Sequence, residues 1–269
     1  MSAVRDHFWV WGHEAGSHDT VYNLYRGSRM TPAEGAYYLG VPNLIMVCFG
    51  GKPEPAQFDL YARSFTPLKR VVWSIIGDSS STRNNAQSDL EAVLALAEEF
   101  PNITGAIMDD FFHPLDARGV FSRMGVPRLA EFRAHLHAAP RPLDLWVVLY
   151  DHDLDLPVQA HLAQCDIVTF WTWKPENLAK LEEHFARAEA LTPGKRRMLG
   201  CYLFDFSAGK EITAAQMEAQ CALGLRWLEE GRIDGMIFLA TCICDLNYPA
   251  VEWTREWIAA VGDRELARA

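Results

Sequence analysis

Residues Ile103–Pro114 read ITGAIMDDFFHP, an apolar run with the pattern of a buried strand that ends on two adjacent acids, Asp109 and Asp110, and then on aromatics. A carboxylate that leaves water is costly unless it is paired or stays wet. Either the strand surfaces there, or it delivers acids to a site.

Seven other stretches repeat the pattern of a short apolar run with a polar or aromatic tip. They are HFWVWG (His7–Gly12), NLIMVCFGG (Asn43–Gly51), KRVVWSIIGD (Lys69–Asp78), LDLWVVLYDHD (Leu143–Asp153), DIVTFWTW (Asp166–Trp173), RMLGCYLFDF (Arg197–Phe206) and DGMIFLATCICD (Asp234–Asp245). Segments with helical periodicity lie between them. TPAE at Thr31 and TAAQ at Thr213 each place a threonine three residues before an acid or amide, the capping-box arrangement, with Pro32 at the tolerated first position. In SDLEAVLALAEEF and PENLAKLEEHFARAEAL the leucines and alanines recur at intervals of three and four, giving a stripe to pack on a sheet. Near-continuous apolar strands suit a parallel sheet covered on both faces. Eight such units in 269 residues predict an α/β fold, a (β/α)8 TIM barrel forming one domain over 1–269. An open doubly wound sheet is the competitor, but no glycine-rich phosphate turn follows the first strand.

Bulk composition narrows the function. A formal net charge of −10 disfavours nucleic acid and anionic membranes as partners. No stretch is apolar and long enough to span a bilayer, and the N-terminus lacks the pattern of a secretion signal, so a cytoplasmic location is expected. The six cysteines form no CxxC pair or zinc-finger spacing, which predicts buried free thiols. No cofactor is implied, and the sequence leaves the oligomeric state open.

In a barrel of this kind the reactive face lies at the C-terminal strand ends. Read in order, those ends carry Trp9, Trp11, His13 and Glu14; Trp73 and Asp78; Asp109, Asp110 and His113; Tyr150, Asp151, His152 and Asp153; Trp171, Trp173 and Lys174; Tyr202 and Asp205; and Asp245 and Asn247. Side chains alternate along a strand, so one of Asp109 and Asp110 points into the mouth, and the β-branched Ile103 and Ile107 on the face of Asp109 favour Asp110. The same alternation puts Thr169, Trp171 and Trp173 on one face, and Trp146, Tyr150 and His152 on another. Paired tryptophans would form a flat wall suited to the apolar face of a sugar ring. The carboxylate pair expected to do chemistry is Asp110, or Asp109, with Asp205. Their separation, about 5 Å for retention or about 6.5 to 9.5 Å for inversion, would set the stereochemical course. Trp11, His13, Glu14, Tyr150, His152, Trp171, Trp173 and Tyr202 are the expected substrate contacts. HEAGSHD (His13–Asp19) lacks HExxH spacing and is not read as a metal site, and Asp78 and Asp245 read equally well as caps. The polar loop GDSSSTRNNAQS (Gly77–Ser88) belongs to the reactive rim.

An aromatic-rich barrel with acids at its fourth and seventh strand tips resembles the TIM-barrel glycoside hydrolase superfamily over nearly the whole chain, and GAIMDDFF is similar to the strand ends of glycosidase-like barrels. The large retaining clan places Glu at both positions, where this chain has Asp109 or Asp110 and Asp205, and the chitinase-type DxxDxDxE pattern is absent. The resemblance implies a carbohydrate-active hydrolase acting on a small saccharide. Two alternatives stand beside it: a metal-assisted isomerase, lyase or hydrolase built on Asp109, Asp110, His13 and His152, and a non-catalytic sugar-binding barrel.

Overall fold

A computed structural model of the chain describes residues 2–79 and 86–266. Each of the eight apolar runs forms a barrel strand: β1 (Phe8–Gly12), β2 (Asn43–Met46), β3 (Arg70–Ile76), β4 (Ile103–Met108), β5 (Asp144–Tyr150), β6 (Ile167–Trp171), β7 (Arg196–Tyr202) and, after a small hairpin of β8 (Phe204–Asp205) and β9 (Lys210–Glu211), β10 (Gly235–Leu239). All barrel pairings are parallel, and the sheet closes in the order β1-β10-β7-β6-β5-β4-β3-β2. The outer layer consists of α1 (Pro32–Leu39), α2 (Phe58–Ser64), α3 (Ala86–Glu99), α4 (Val126–His137), α5 (Gln159–Leu162), α6 (Leu181–Leu191), α7 (Ala214–Glu229) and α8 (Pro249–Val261). The protein is a single (β/α)8 TIM barrel.

Local chemistry explains the helix starts. The Thr31 hydroxyl accepts from the N–H of Glu34 while the Glu34 carboxylate returns to the N–H of Thr31, and Thr213 and Gln216 repeat the exchange at α7. Gly40, with φ of 70°, closes α1 in the left-handed conformation that a Cβ disfavours.

The barrel interior is filled from the bottom. Arg70 lies over the Trp9 ring at 4.7 Å and donates to Asn43 Oδ1, while Asn43 Nδ2 donates to the Phe8 carbonyl. Trp146 meets Trp9 edge-on at 5.1 Å. This layer seals the lower end, so Trp9 is a floor residue and lies far below the rim. Trp73 takes the opposite face of β3 and packs on Phe58 of α2, with ring centroids 4.8 Å apart. All six cysteines are buried, and among the described residues none forms a disulfide. Among the described residues, no helix is long and apolar enough to cross a membrane.

Candidate active site

Above the floor, at the C-terminal ends of the strands, a cavity of about 430 Å³ opens, within the range of small-molecule sites. Of the expected substrate contacts, Trp11, His13, Tyr150, His152, Trp171, Trp173 and Tyr202 line it. Glu14 does not: its carboxylate accepts from the Tyr61 hydroxyl, so it is spent on bracing the first loop against α2.

Both adjacent acids reach the cavity. Ile107 pairs with Trp146, which meets Trp9 inside the barrel, so alternation points Asp109 inward and overturns the preference for Asp110 drawn from the β-branched residues. Asp110 reaches the cavity as well because β4 ends at Met108 and Asp110 has φ of 41°. That left-handed turn, which Asp tolerates better than most residues, places Asp109 and Asp110 on the same side. Asp109 is 6% exposed, and among the described residues its carboxyl accepts one hydrogen bond, from the N–H of Asp110 at 2.9 Å. Burial, with help from the negative Asp110 and Asp78 nearby, pushes its pKa well above the usual carboxylate range. It therefore holds a proton far more readily than an exposed acid. Asp110 is gripped from two sides: Tyr150 Oη donates to Oδ1 at 2.8 Å, and the N–H of Ser79 donates to Oδ2 at 2.8 Å. Arg123 Nε donates to the Asp110 carbonyl at 3.2 Å, tying the turn to the following loop. Asp78 completes an acidic edge on β3 and β4, and its Oδ1 accepts from the N–H of Gly50. The loop Gly77–Ser88 thus meets the site through Asp78 and Ser79, while 80–85 lie outside the described residues.

The wall facing this edge is aromatic. Trp171 donates from Nε1 to Thr169 Oγ1 at 2.8 Å, meets Trp11 edge-on at 5.2 Å, and lies against Gly200 of β7. A Cβ at Gly200 would sit 2.0 Å from the indole, so the glycine is what lets the ring lie over that strand. Trp173 and Tyr202 meet edge-on at 5.6 Å, and burial raises the Tyr150 and Tyr202 hydroxyls well above the ordinary phenol value, keeping both as proton-bearing donors. His152 stacks on Tyr150 at 5.0 Å; the Asp151 carboxylate beside it raises its pKa.

His13 and His18 form the third side. Trp11 Nε1 donates to His13 Nε2 at 3.1 Å, and the two imidazoles lie 4.8 Å apart. Burial drives the pKa of His13 well below its ordinary value and that of His18 down to about 4, so both are neutral near pH 7. His18, Tyr22, Phe49 and Phe206 were missed by strand-end reading because they sit in loops after β1, β2 and β8 that no periodicity marks.

Asp205 is placed differently from the expectation of a partner facing Asp110 across the cavity. It is not among the cavity-lining residues; its Oδ1 accepts from Ser207 Oγ at 2.6 Å and from the N–H of Ala208 at 3.1 Å, and Lys210 lies 3.7 Å from Oδ2. It caps the β8–β9 turn, a common use of aspartate. Asp151 and Asp245 are also capping groups, Asp151 for the N–H of Trp173 and Asn177, Asp245 for Ser28 and the N–H of Arg29. Among the described residues no group of three or more His, Cys, Asp or Glu side chains is arranged to hold a metal ion.

No protein-family model matches the chain, and no curated protein sequence matches it. Solved structures do match. The α-L-arabinofuranosidase of Thermotoga maritima in its arabinose complex is 9% identical, with a TM-score of 0.54 over 89% of this chain and 65% of its own, so the chain spans just under two thirds of that protein. The GH113 β-mannanase of Alicyclobacillus acidocaldarius is 10% identical, with a TM-score of 0.55 over 97% of this chain and 98% of its own. Tryptophan synthase from M. tuberculosis, which has no glycosidase name, gives 0.53 at 12% identity over 96% and 93%. Likeness at these identities establishes the fold. Its structural neighbours are mainly glycoside hydrolases.

Proposed function

We propose that the protein is a glycoside hydrolase that binds one end of a small saccharide in the barrel mouth. The observation that carries this reading is the pairing, in one cavity, of a buried acid whose pKa is raised with a second carboxylate fixed by two donors, opposite a wall of tryptophan and tyrosine. Two titratable groups whose environments differ in this way divide acid and acceptor roles. Asp109 protonates the leaving oxygen, because burial keeps its proton in place at the pH where an ordinary carboxyl has lost it. Asp110, oriented by Tyr150 and Ser79, presents an acceptor to the substrate. Trp171, Trp173 and Trp11 supply the apolar surface on which a sugar ring rests. Asp205 acts at one remove, holding the turn from which Phe206 reaches the cavity. Such a site binds its ligand from solution and needs no nucleic acid or membrane.

The test is product release from a panel of α- and β-linked aryl glycosides, with Asp109→Asn run beside the unmodified protein. Turnover of at least one glycoside, lowered about 10²- to 10⁴-fold in the variant, is the expected result for loss of a general acid. Saccharide binding in calorimetry with no turnover anywhere would instead make the barrel a sugar receptor.

A further inference from the structure

The glycoside hydrolase reading leaves one requirement unmet by the protein itself. Enzymes that use two carboxylates place them on opposite sides of the scissile bond, one to protonate the leaving group and one to attack, or to activate water, from the other face. Here the cavity carboxylates all lie on one side. Asp109 and Asp110 are consecutive, with Cα atoms about 3.8 Å apart, and Asp78 follows β3, the strand paired with β4. Among the described residues the facing wall, from β6, β7, β10 and the turn after β8, offers Trp171, Tyr202, Leu239 and Phe206 but no acid. The other rim acids are committed to bonds away from the cavity, as Glu14 is to Tyr61 and Asp205 to Ser207 and Ala208. Residues 80–85 read SSTRNN and contain no acid.

We infer that the site acts on 2-acetamido-2-deoxy glycosides, and that the substrate's own acetamido oxygen is the nucleophile that the facing wall lacks. This rests on the hydrolase reading and names its substrate class. The acetamido group fits what the cavity provides. Its N–H needs a fixed acceptor, and Asp110, which accepts one hydrogen bond at each oxygen from Tyr150 and Ser79, has lone pairs to spare. Its methyl group needs an apolar box, which Trp11, Trp171 and Tyr202, with ring centroids 5.2 and 5.1 Å apart, form across the same cavity from that acceptor. The carboxyl that protonates the leaving group must lie on the same side as the amide holder, as Asp109 does.

The steps balance. The acetamido carbonyl oxygen bonds to C1 as the C1–O bond to the leaving group breaks; that leaving oxygen takes the proton of Asp109, and Asp110 takes the amide proton, leaving a neutral oxazoline. Water then adds its oxygen to C1 and gives a proton to Asp109 as the bond from C1 to the oxazoline oxygen breaks, while Asp110 returns its proton to nitrogen and the acetamido group is restored. The net reaction is hydrolysis with retention, and it requires the leaving group trans to the acetamido group, hence β-linked gluco- or galacto-configured substrates.

The experiment compares 4-methylumbelliferyl 2-acetamido-2-deoxy-β-D-glucoside and -galactoside with the corresponding 2-hydroxy glycosides on the unmodified protein, and then replaces acetamido by mono-, di- and trifluoroacetamido. Turnover confined to the acetamido compounds, with kcat/KM falling at least about tenfold across the fluorinated series as the carbonyl oxygen loses nucleophilicity, is the expected result. Equal turnover of the 2-hydroxy glycosides, or indifference to fluorination, would overturn the inference while leaving the glycosidase reading intact, and would hand the opposite-face role to an imidazole such as His18. Silence on every glycoside would overturn the hydrolase reading beneath it.

Discussion

Two segments of the barrel look alike in sequence and do different work. IMDDFF at the end of β4 and YLFDFS at the end of β7 both run from an apolar strand into an acid flanked by phenylalanine. After β7 the chain supplies donors to its own acid: the Ser207 hydroxyl and the N–H of Ala208 close on Asp205, and the carboxylate is absorbed into a turn. After β4 the next residues are Phe111 and Phe112, which have no side-chain donors, and Asp110 takes φ of 41°. Its carboxylate, and that of Asp109, remain in the cavity. The acid is common to both; the two residues after it decide whether it caps a turn or stays in the cavity.

The largest expected effect breaks this comparison most directly. Asp109→Asn and Asp110→Asn should each lower kcat/KM about 10²- to 10⁴-fold on the best glycoside, against less than about tenfold for Asp205→Asn. A comparable loss in all three would return Asp205 to the chemistry. The pH profile sharpens the assignment. The proposed acid role needs Asp109 protonated, so activity should fall as pH rises through the raised pKa, and that limb should disappear in Asp109→Asn. Stability has the same sign: the folded state keeps a proton that the unfolded chain releases near the ordinary carboxylate value, so folding weakens as pH rises above it. Asp109→Asn should therefore be at least as stable as the parent at pH 8 in urea melts, a mark of a residue kept for function.

The histidine side of the cavity titrates in the opposite sense. With the His18 pKa lowered from 6.5 to about 4, the unfolded chain binds a proton that the folded one refuses, so stability is complete above about pH 6.5 and declines as pH falls toward 4. The shift corresponds to roughly 3 kcal/mol at most. His18→Phe should flatten the acid side of the stability curve between those values; an unchanged slope would place the loss in other groups.

The fold was legible because its signals are repetitive: eight apolar runs and two capping boxes each state the same architecture, and an error in one would not change the count. The mouth was legible only as far as strands reach into it. Tyr150 and Trp171 follow from alternation along β5 and β6, and Trp11 and Tyr202 from their places at the ends of β1 and β7, whereas His18, Tyr22 and Phe49 come from loops whose path is set by tertiary contacts. The β-branched rule failed at Ile107, which faces the interior beside Trp146, and alternation alone could not bring Asp110 in beside Asp109 because a left-handed residue ends the extended backbone on which it depends. It also could not separate Asp110 from Asp205, since hydrogen bonding to the next two residues is invisible to periodicity. Gly200 carried a readable signal, a glycine inside an otherwise apolar strand, which often marks close approach of another group.

That glycine sets the geometry of the wall that faces the acids. Gly200→Ala would bring a methyl carbon to 2.0 Å from the Trp171 ring, so the indole must swing away from β7. Overpacking of this kind costs about 1 to 3 kcal/mol in stability. Because Trp171 is proposed to support the sugar, KM should rise more than kcat falls. A variant with normal KM would remove Trp171 from the platform and leave Trp173 and Tyr202 to form it.

The smallest effect tests the other half of the comparison. Asp205→Ala leaves the Ser207 hydroxyl, the N–H of Ala208 and the Lys210 ammonium without their acceptor, and loss of a local cap of this type costs about 1 kcal/mol. Asp205→Asn keeps an oxygen where the two donors converge and should recover most of that stability while losing the attraction of Lys210, which is exposed and worth little. A capping role therefore predicts that Asn rescues Ala in thermal melts and in activity alike. A catalytic role predicts a different split, with Asn restoring the fold and leaving activity as low as in Ala, because an amide can accept a hydrogen bond from a turn but cannot exchange a proton with a glycoside.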